Sequence, residues 1–463
     1  MATLIEQHPL YDTLTVGQDV IFTVSNTSVV SSFTGVKFIA EVHISSTFAP
    51  NPSTSTDIVG TFKTTPNNAG VGMFDFRPII ESFVNADNLA RQGSSYKTVV
   101  NTSDTNVPLH LIDKYSGNVN SMRYLFVRFK IEYIDAAGDL VTTGIKDSDL
   151  YELFNGYLKH TDILSLVGVN FGYNLSNFNL SSPTDSFLSN APLIQYANLD
   201  DYGTVAMLDI NDELHYIKLN YKDSSGTSLG TENIFKTSAN GAYDGYNGYI
   251  GMELLYFGCF PANLRNDNTS IFAGLVTAGT IQGGSIEVAA FNDQLGGQIS
   301  QQYIINLNCP TLKGFEPIRL AWLNQWGTWD YYTFKMKSTK TISTKGSTYQ
   351  QLEGSWNKSA YRIDSYKGGK KAFRVNATEK ITMNTDFVNE SESEWFEELI
   401  NSPEVYILKG YEDVVETSSA LNQYVTPVRL TTSNYTKKTV ANDKLMQYTF
   451  EVEKSKTLRT QAV

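Results

Sequence analysis

This sequence predicts a mainly β protein of two to three β-sandwich-like domains, with one or two short helices packed on sheets. Three observations carry that prediction. Aromatic residues reach 12%, with 27 Tyr and 25 Phe, while charged residues make up only 18%. That mixture, filled out with Ser, Thr and Asn, suits pleated, half-exposed strands rather than helical bundles. Apolar and polar residues also alternate with period two in run after run, separated by Gly- and Asn-rich turns. Finally, helical periodicity is clear in only one place, near residues 390–401. A chain of 463 residues is long enough for several cores. The expected division is 1–165, an N-terminal β-sandwich; 166–310, a loop-rich β domain or insertion; and 311–463, a C-terminal β domain with the short helix.

In the first region, Asp19–Val24 and Val36–Ile44 alternate, and Ile58–Thr64 is a further short run. Pro66–Gly72 is a turn cluster. Phe74–Val84 starts as a strand and turns helical at Pro78, which fits a first-turn proline. Arg123–Ile134 is the strongest strand, and Ala136–Asp139 turns it into Leu140–Thr143. Asn85–Val119 is polar and weakly patterned, so a long excursion loop used in contacts is expected.

In the middle region, Val205–Ile210 and Leu214–Tyr221 flank Asn211–Glu213, a hairpin signal, and Asp223–Gly226 closes another. Ala239–Tyr249 is low in complexity and reads as a Tyr-bearing loop. Ile299–Leu307 returns to a strand, and Leu312–Ile318 is the expected boundary.

The last region opens with Trp322, Trp326 and Trp329, three of five tryptophans within eight residues. Asn324–Gly327 reads as a turn between two aromatic strands. Lys380–Val388 alternates, and Asn389 offers a helix N-cap. Glu390, Glu392 and Glu394 place negative charge where the helix dipole favours it. Trp395, Phe396, Leu399 and Ile400 form one apolar stripe, Pro403 ends the helix, and Val405–Leu408 resumes a strand. Asp443–Lys454 is an alternating final strand, and the basic tail Ser455–Val463 is either frayed or an arm that docks on a neighbour.

The formal net charge of −12 is unevenly spread. Residues 1–310 hold 15 Lys and Arg against 30 Asp and Glu, whereas residues 311–463 hold 21 against 18. Such a division could favour head-to-tail contacts between copies, and the acidic body argues against broad nucleic-acid binding. No stretch has the length of a membrane span, so no membrane insertion is expected. The start, Met-Ala-Thr-Leu-Ile-Glu, has neither a basic region nor an apolar core of signal-peptide length, so synthesis in a cytoplasm is expected. Cys259 and Cys309 could pair or stand as two buried thiols.

The search for chemistry yields no catalytic, cofactor-binding or metal-binding residues. His8, His43, His110, His160 and His215 lack metal-ligand spacing. Gly368–Lys371 is too short to wrap phosphate and reads as a basic hairpin tip. Asp200 with Asp201, Asp209 with Asp212 and Glu213, and Glu397 with Glu398 are paired carboxylates of the kind glycosidases use, but each fits a solvated polar face. The expectation is a protein that is not an enzyme and needs no cofactor. Clustered Trp and Tyr can stack on sugars, but alternation points half of them inward, which favours core or interface. The interface candidates are Trp322, Trp326, Trp329, Trp395 and Phe396. The candidate glycan-contact loop carries Tyr243, Tyr246 and Tyr249.

The phrases Glu316–Phe334, Trp395–Ile407 and Val425–Thr436 with Asp443–Leu445 resemble uncharacterised virion structural proteins of tailed bacteriophages, from marine samples and from phages of Bacteroidota. The likeness is best over residues 311–463 and extends less specifically to Pro66–Val84. It implies a virion setting, with the protein made in the host cytoplasm, and carries over no functional residues. The expectation is a tail, neck or baseplate component that forms a homo-oligomer and docks other virion proteins. The alternatives are a receptor- or glycan-binding virion protein that contacts a host surface glycan, and a minor capsid or decoration protein.

Overall fold

The computed structural model describes residues 3–46, 58–91, 107–159, 178, 180–209, 213–235, 254–267, 269–292, 297–308, 314–355, 359–412, 423–432, 434–436 and 446–459. The fold is mainly β, with several sheets and a few short helices. The chain divides into two compact units. One comprises Met1–Pro310 with Leu323–Tyr331 and Gly410–Asn422; the other comprises Thr311–Trp322, Tyr332–Lys409 and Gln423–Val463.

The first unit begins with a sandwich. Leu4–Gln7, Ile21–Ser25 and Val71–Asp75 form a three-stranded antiparallel sheet. Thr13–Thr15, Tyr151–Phe154, Met122–Ile134, Thr34–Ser45 and Ile58–Thr64 follow one another in a second sheet, with Leu140–Asp147 also paired to Met122–Ile134. Alternation sets which side chains meet between them. Phe22, Val24 and Phe74 from one sheet join Phe38, Ala40, Val42, Val127, Phe129 and Ile131 from the other in one buried cluster. On the opposite face the pairs Lys63–Glu132, Lys130–Glu41 and Arg128–Asp147 bridge neighbouring strands. Pro78 sits in the first turn of the helix Arg77–Ile80, as its fixed φ predicts.

The expected boundary at 165/166 has no counterpart in this unit. Tyr115–Gly117 pairs with Leu254–Phe257, which also pairs with Val205–Leu208, so one sheet draws strands from both sides of it. A five-stranded sheet runs Ile194–Ala197, Tyr303–Leu307, Ser285–Phe291, Tyr216–Lys222, Ser228–Phe235. Two expectations fail here for local reasons. The signal at Asn211–Glu213 is not a hairpin, because its flanking strands belong to different sheets. The buried Asp209 carboxylate accepts from the Glu213 and Leu214 N–H groups at 2.8 and 3.2 Å, between the two strands. Nor is the described part of the expected excursion loop a surface loop: Val107, Leu109, Leu111 and Ile112 are buried. Its polar composition hid the apolar run Val107–Ile112.

A seven-stranded sheet, most of whose residues belong to the second unit, is ordered Trp329–Phe334, Ile318–Leu323, Val405–Leu408, Val425–Leu430, Thr449–Lys454, Gly369–Asn384, Thr339–Gln351. The helix of the second unit spans Glu390–Asn401. The Asn389 side chain accepts from the Glu392 N–H, and the Glu392 carboxylate accepts from the Asn389 N–H, both at 2.9 Å. This reciprocal cap satisfies two of the four donors that a helix start leaves open. Trp395, Phe396 and Leu399 are buried and Ile400 is half-buried. Twelve residues are marginal as an isolated helix, and burying three large side chains contributes on the order of 6 kcal/mol, so packing rather than propensity holds it. Of the tail expected to fray or to reach a neighbour, the described part pairs within its own chain at Leu458, which exchanges both backbone hydrogen bonds with Ala377, at 2.8 and 2.9 Å; residues 460–463 lie outside the described residues.

Candidate functional site

The five aromatic residues proposed as an interface are between 0 and 5% exposed in the single chain, which corrects that assignment. In the second unit, Trp322 lies 4.8 Å from Trp395 between ring centroids, and Phe396 meets Tyr332 edge-on at 4.9 Å. In the first unit, Trp326 packs on Phe178 at 4.2 Å. The Trp329 indole Nε1 donates to the Asp87 carbonyl at 2.7 Å, and His110 meets the Trp329 ring edge-on at 4.8 Å. His110 Nδ1 shares a hydrogen bond with the Tyr331 hydroxyl, which also bonds Thr204, each at 2.9 Å. Each ring is covered by residues of its own chain, some more than two hundred positions away, so none of the five presents a surface to a partner.

The Asp87 side chain is buried as well. Its carboxylate accepts from the N–H groups of Val119, Asn120 and Ser121, and from the hydroxyls of Ser121 and Tyr256. Burial raises its pKa, and these donors oppose the rise. The arrangement holds a loop in place. The turn Asn324–Gly327 is built the same way: the Asn324 side-chain oxygen accepts from the N–H groups of Trp326 and Thr328. Gly327, at φ +78°, lets the backbone pass against Asn155, where an added Cβ would lie 1.6 Å from the carbonyl oxygen.

The paired carboxylates have structural work where they are described. Asp200 is exposed and bridges Arg265 at 2.7 Å, while Asp201 is buried and accepts from the Asn198 N–H. Glu398 is buried rather than on a solvated face. Among the described residues, no group of three or more His, Cys, Asp or Glu is placed to hold a metal ion. Cys259 is a free, fully buried thiol whose pKa burial pushes up, and Cys309 lies outside the described residues. Tyr243, Tyr246 and Tyr249 also lie outside them. Among the described residues, no helix is long and apolar enough to cross a membrane, which says nothing of a β-barrel.

What the structure adds is a ribbon. Thr339–Gln351 and Gly369–Asn384 pair antiparallel over 13 residues of the first strand, about 40 Å of β structure. Among the described residues, only its base, Lys380–Asn384, is paired on the inner side with Thr449–Lys454, beyond which lies one bridge, from Ala377 to Leu458. Thr339–Gln351 ends the sheet order and is exposed along its length. Registered pairs divide the ribbon into two faces. One carries Ile342 and Val375, with Glu379 opposite Ile342; at the register shift beyond Ser347, Phe373 stands edge-on to Tyr349. The other carries Lys345 and Arg374 among Ser, Thr and Asn. Beyond it, Gly354–Ser355 pairs with Arg362–Ile363. Ile342 is 62% exposed, and Ile363 and Tyr366 are each 72% exposed. Residues 339–384 hold nine Lys and Arg against three Asp and Glu, in a chain of net charge −12. The sequence signal for the ribbon was this local excess of basic residues on a Thr- and Ser-rich strand pattern. Reading only Gly368–Lys371 as a hairpin tip missed its length.

No family model matches this chain, and no curated protein matches it. Among solved structures, native E. coli alpha-2-macroglobulin aligns with a TM-score of 0.18 at 9% identity, covering 82% of this chain and 22% of that one. The chain thus spans about a fifth of the length of that protein, and a likeness this low carries no argument about fold or function.

Proposed function

We propose that this chain is a structural component of a tailed-bacteriophage virion, of the tail, neck or baseplate kind, that assembles with copies of itself and docks other virion proteins. In this reading it works by packing rather than by catalysis. The observation that supports it is the exposed ribbon. Large apolar side chains at Ile342 and Phe373 on the ribbon, and at Ile363 and Tyr366 in the segment beyond it, stand in solvent. Large apolar side chains gathered on one projection among basic residues fit a place where a partner binds. The sequence resemblance over residues 311–463 supplies the virion setting.

Two measurements test the proposal. Light scattering of the purified full chain across a concentration series should show a discrete closed oligomer, and a strict monomer throughout would overturn self-assembly. Mass spectrometry of purified phage particles encoding the chain should find its peptides at fixed stoichiometry, and their absence from the particle would overturn the virion assignment.

A further inference from the structure

Resting on the reading that the chain assembles with itself, we propose that the ribbon of Thr339–Gln351 and Gly369–Asn384 docks on the acidic 1–310 region of a second copy. Charge complementarity picks out this occupant. The ribbon with its tip carries nine basic residues against three acidic ones, whereas residues 1–310 carry 30 acidic against 15 basic. Exposed carboxylates of that region include Asp12, Asp139 and Asp149. Opposite potentials of this size steer encounter and fix register. The apolar side chains select a protein over a nucleic acid: a phosphate backbone would neutralise Lys345 and Arg374 but leave Ile342, Val375 and Phe373 in water.

The two surfaces differ, so the contact is heterologous, and repeated copies close into a ring or extend as a filament. Among the described residues, no strand pairs with the outer side of the edge strand Thr339–Gln351, which carries Lys340, Lys345 and Gly346. Lysine and glycine at such an edge discourage indiscriminate strand addition, so recognition falls to the side chains.

The test uses the full chain with Phe373→p-benzoylphenylalanine, prepared as a mixture of normal and heavy-isotope protein and photocrosslinked at assembling concentration. Crosslinks from position 373 to peptides of residues 1–310 that carry the other isotope support the docking. Crosslinks joining residues 339–384 of two copies would overturn it while leaving self-assembly standing, and a chain that never associates would overturn the assembly reading itself. The variant Lys345→Glu with Arg374→Glu supplies a second measurement. Both sites are exposed, so its unfolding curve should match the parent's, and its self-association should weaken by about tenfold or more. Unchanged association, or association abolished by nuclease treatment, would overturn the proposal.

Discussion

Trp329 and Asp87 meet through the main chain: the indole Nε1 of Trp329 donates to the Asp87 carbonyl at 2.7 Å across 242 residues of sequence. Trp322, seven positions earlier and equally buried, makes no hydrogen bond through its Nε1 to any described residue. The two residues should therefore respond differently to the same substitution. Trp329→Phe loses ring volume and leaves a buried carbonyl without its donor, at a cost of about 2–4 kcal/mol. Trp322→Phe loses volume but also removes an unpaired N–H, so its cost should be about 1–2 kcal/mol. Denaturant unfolding of the two variants checks the order, and equal losses would deny the hydrogen bond its role.

Asp87→Ala should destabilise by about 3–5 kcal/mol, because it strands the backbone donors of Val119, Asn120 and Ser121 inside the protein. Asp87→Asn keeps one acceptor oxygen and should recover part of that loss. Hydrogen exchange at Asn120 and Ser121 reports the effect directly, and unchanged protection in the alanine variant would contradict it.

Glu152 sets a pH dependence. Burial, with the nearby Asp12 carboxylate adding to it, raises its pKa from 4.5 to about 8. The native state therefore holds the proton over a range where the unfolded chain has released it. Stability from this group is fully present below about pH 4.5 and is lost as the pH rises towards 8. Glu152→Gln, which cannot ionise, should flatten that slope and be more stable than the parent at pH 8. Melting temperatures at pH 5 and pH 8 decide it, and parallel curves for the two proteins would refute the assignment.

The helix Glu390–Asn401 was legible in the sequence down to its cap, because all its signals are local: Asn389, the acidic first turn, the 3.6-residue stripe and Pro403. The strands of the N-terminal sandwich were legible for the same reason. The roles of Trp326 and Trp329 were not. Alternation shows that a ring points inward without showing what covers it, and the covering groups here, Phe178 and Asp87, are far away in sequence. The ribbon posed the converse difficulty. Period-two patterning predicts that Thr339–Gln351 is a strand and is silent on whether another layer lies against it.

Asn389→Ala should cost about 1 kcal/mol, since it removes the acceptor for the Glu392 N–H and unseats the Glu392 side chain. The loss should appear as faster hydrogen exchange in the first turn of Glu390–Asn401, with the N-terminal sandwich unaffected. Exchange quickened equally in both places would show that the cap matters globally.

Gly327→Ala should fail more severely than its one methyl group suggests. The position needs a left-handed backbone and has a carbonyl oxygen 1.6 Å from where the Cβ would sit. A loss of about 3 kcal/mol or more, or insoluble expression, is expected. A melting temperature unchanged from the parent would mean that the turn can re-form around the added carbon.

The shared sheet of Tyr115–Gly117, Leu254–Phe257 and Val205–Leu208 imposes an order on synthesis. On the ribosome, the strand at 115–117 lacks its described partner until the segment at 254–257 has emerged, a wait on the order of ten seconds at about 5–20 residues per second. Asp87 waits longer still for the indole that binds its carbonyl. Until then the nascent chain leaves Leu109, Leu111 and Ile112 uncovered, apolar surface of the kind that chaperones hold during translation.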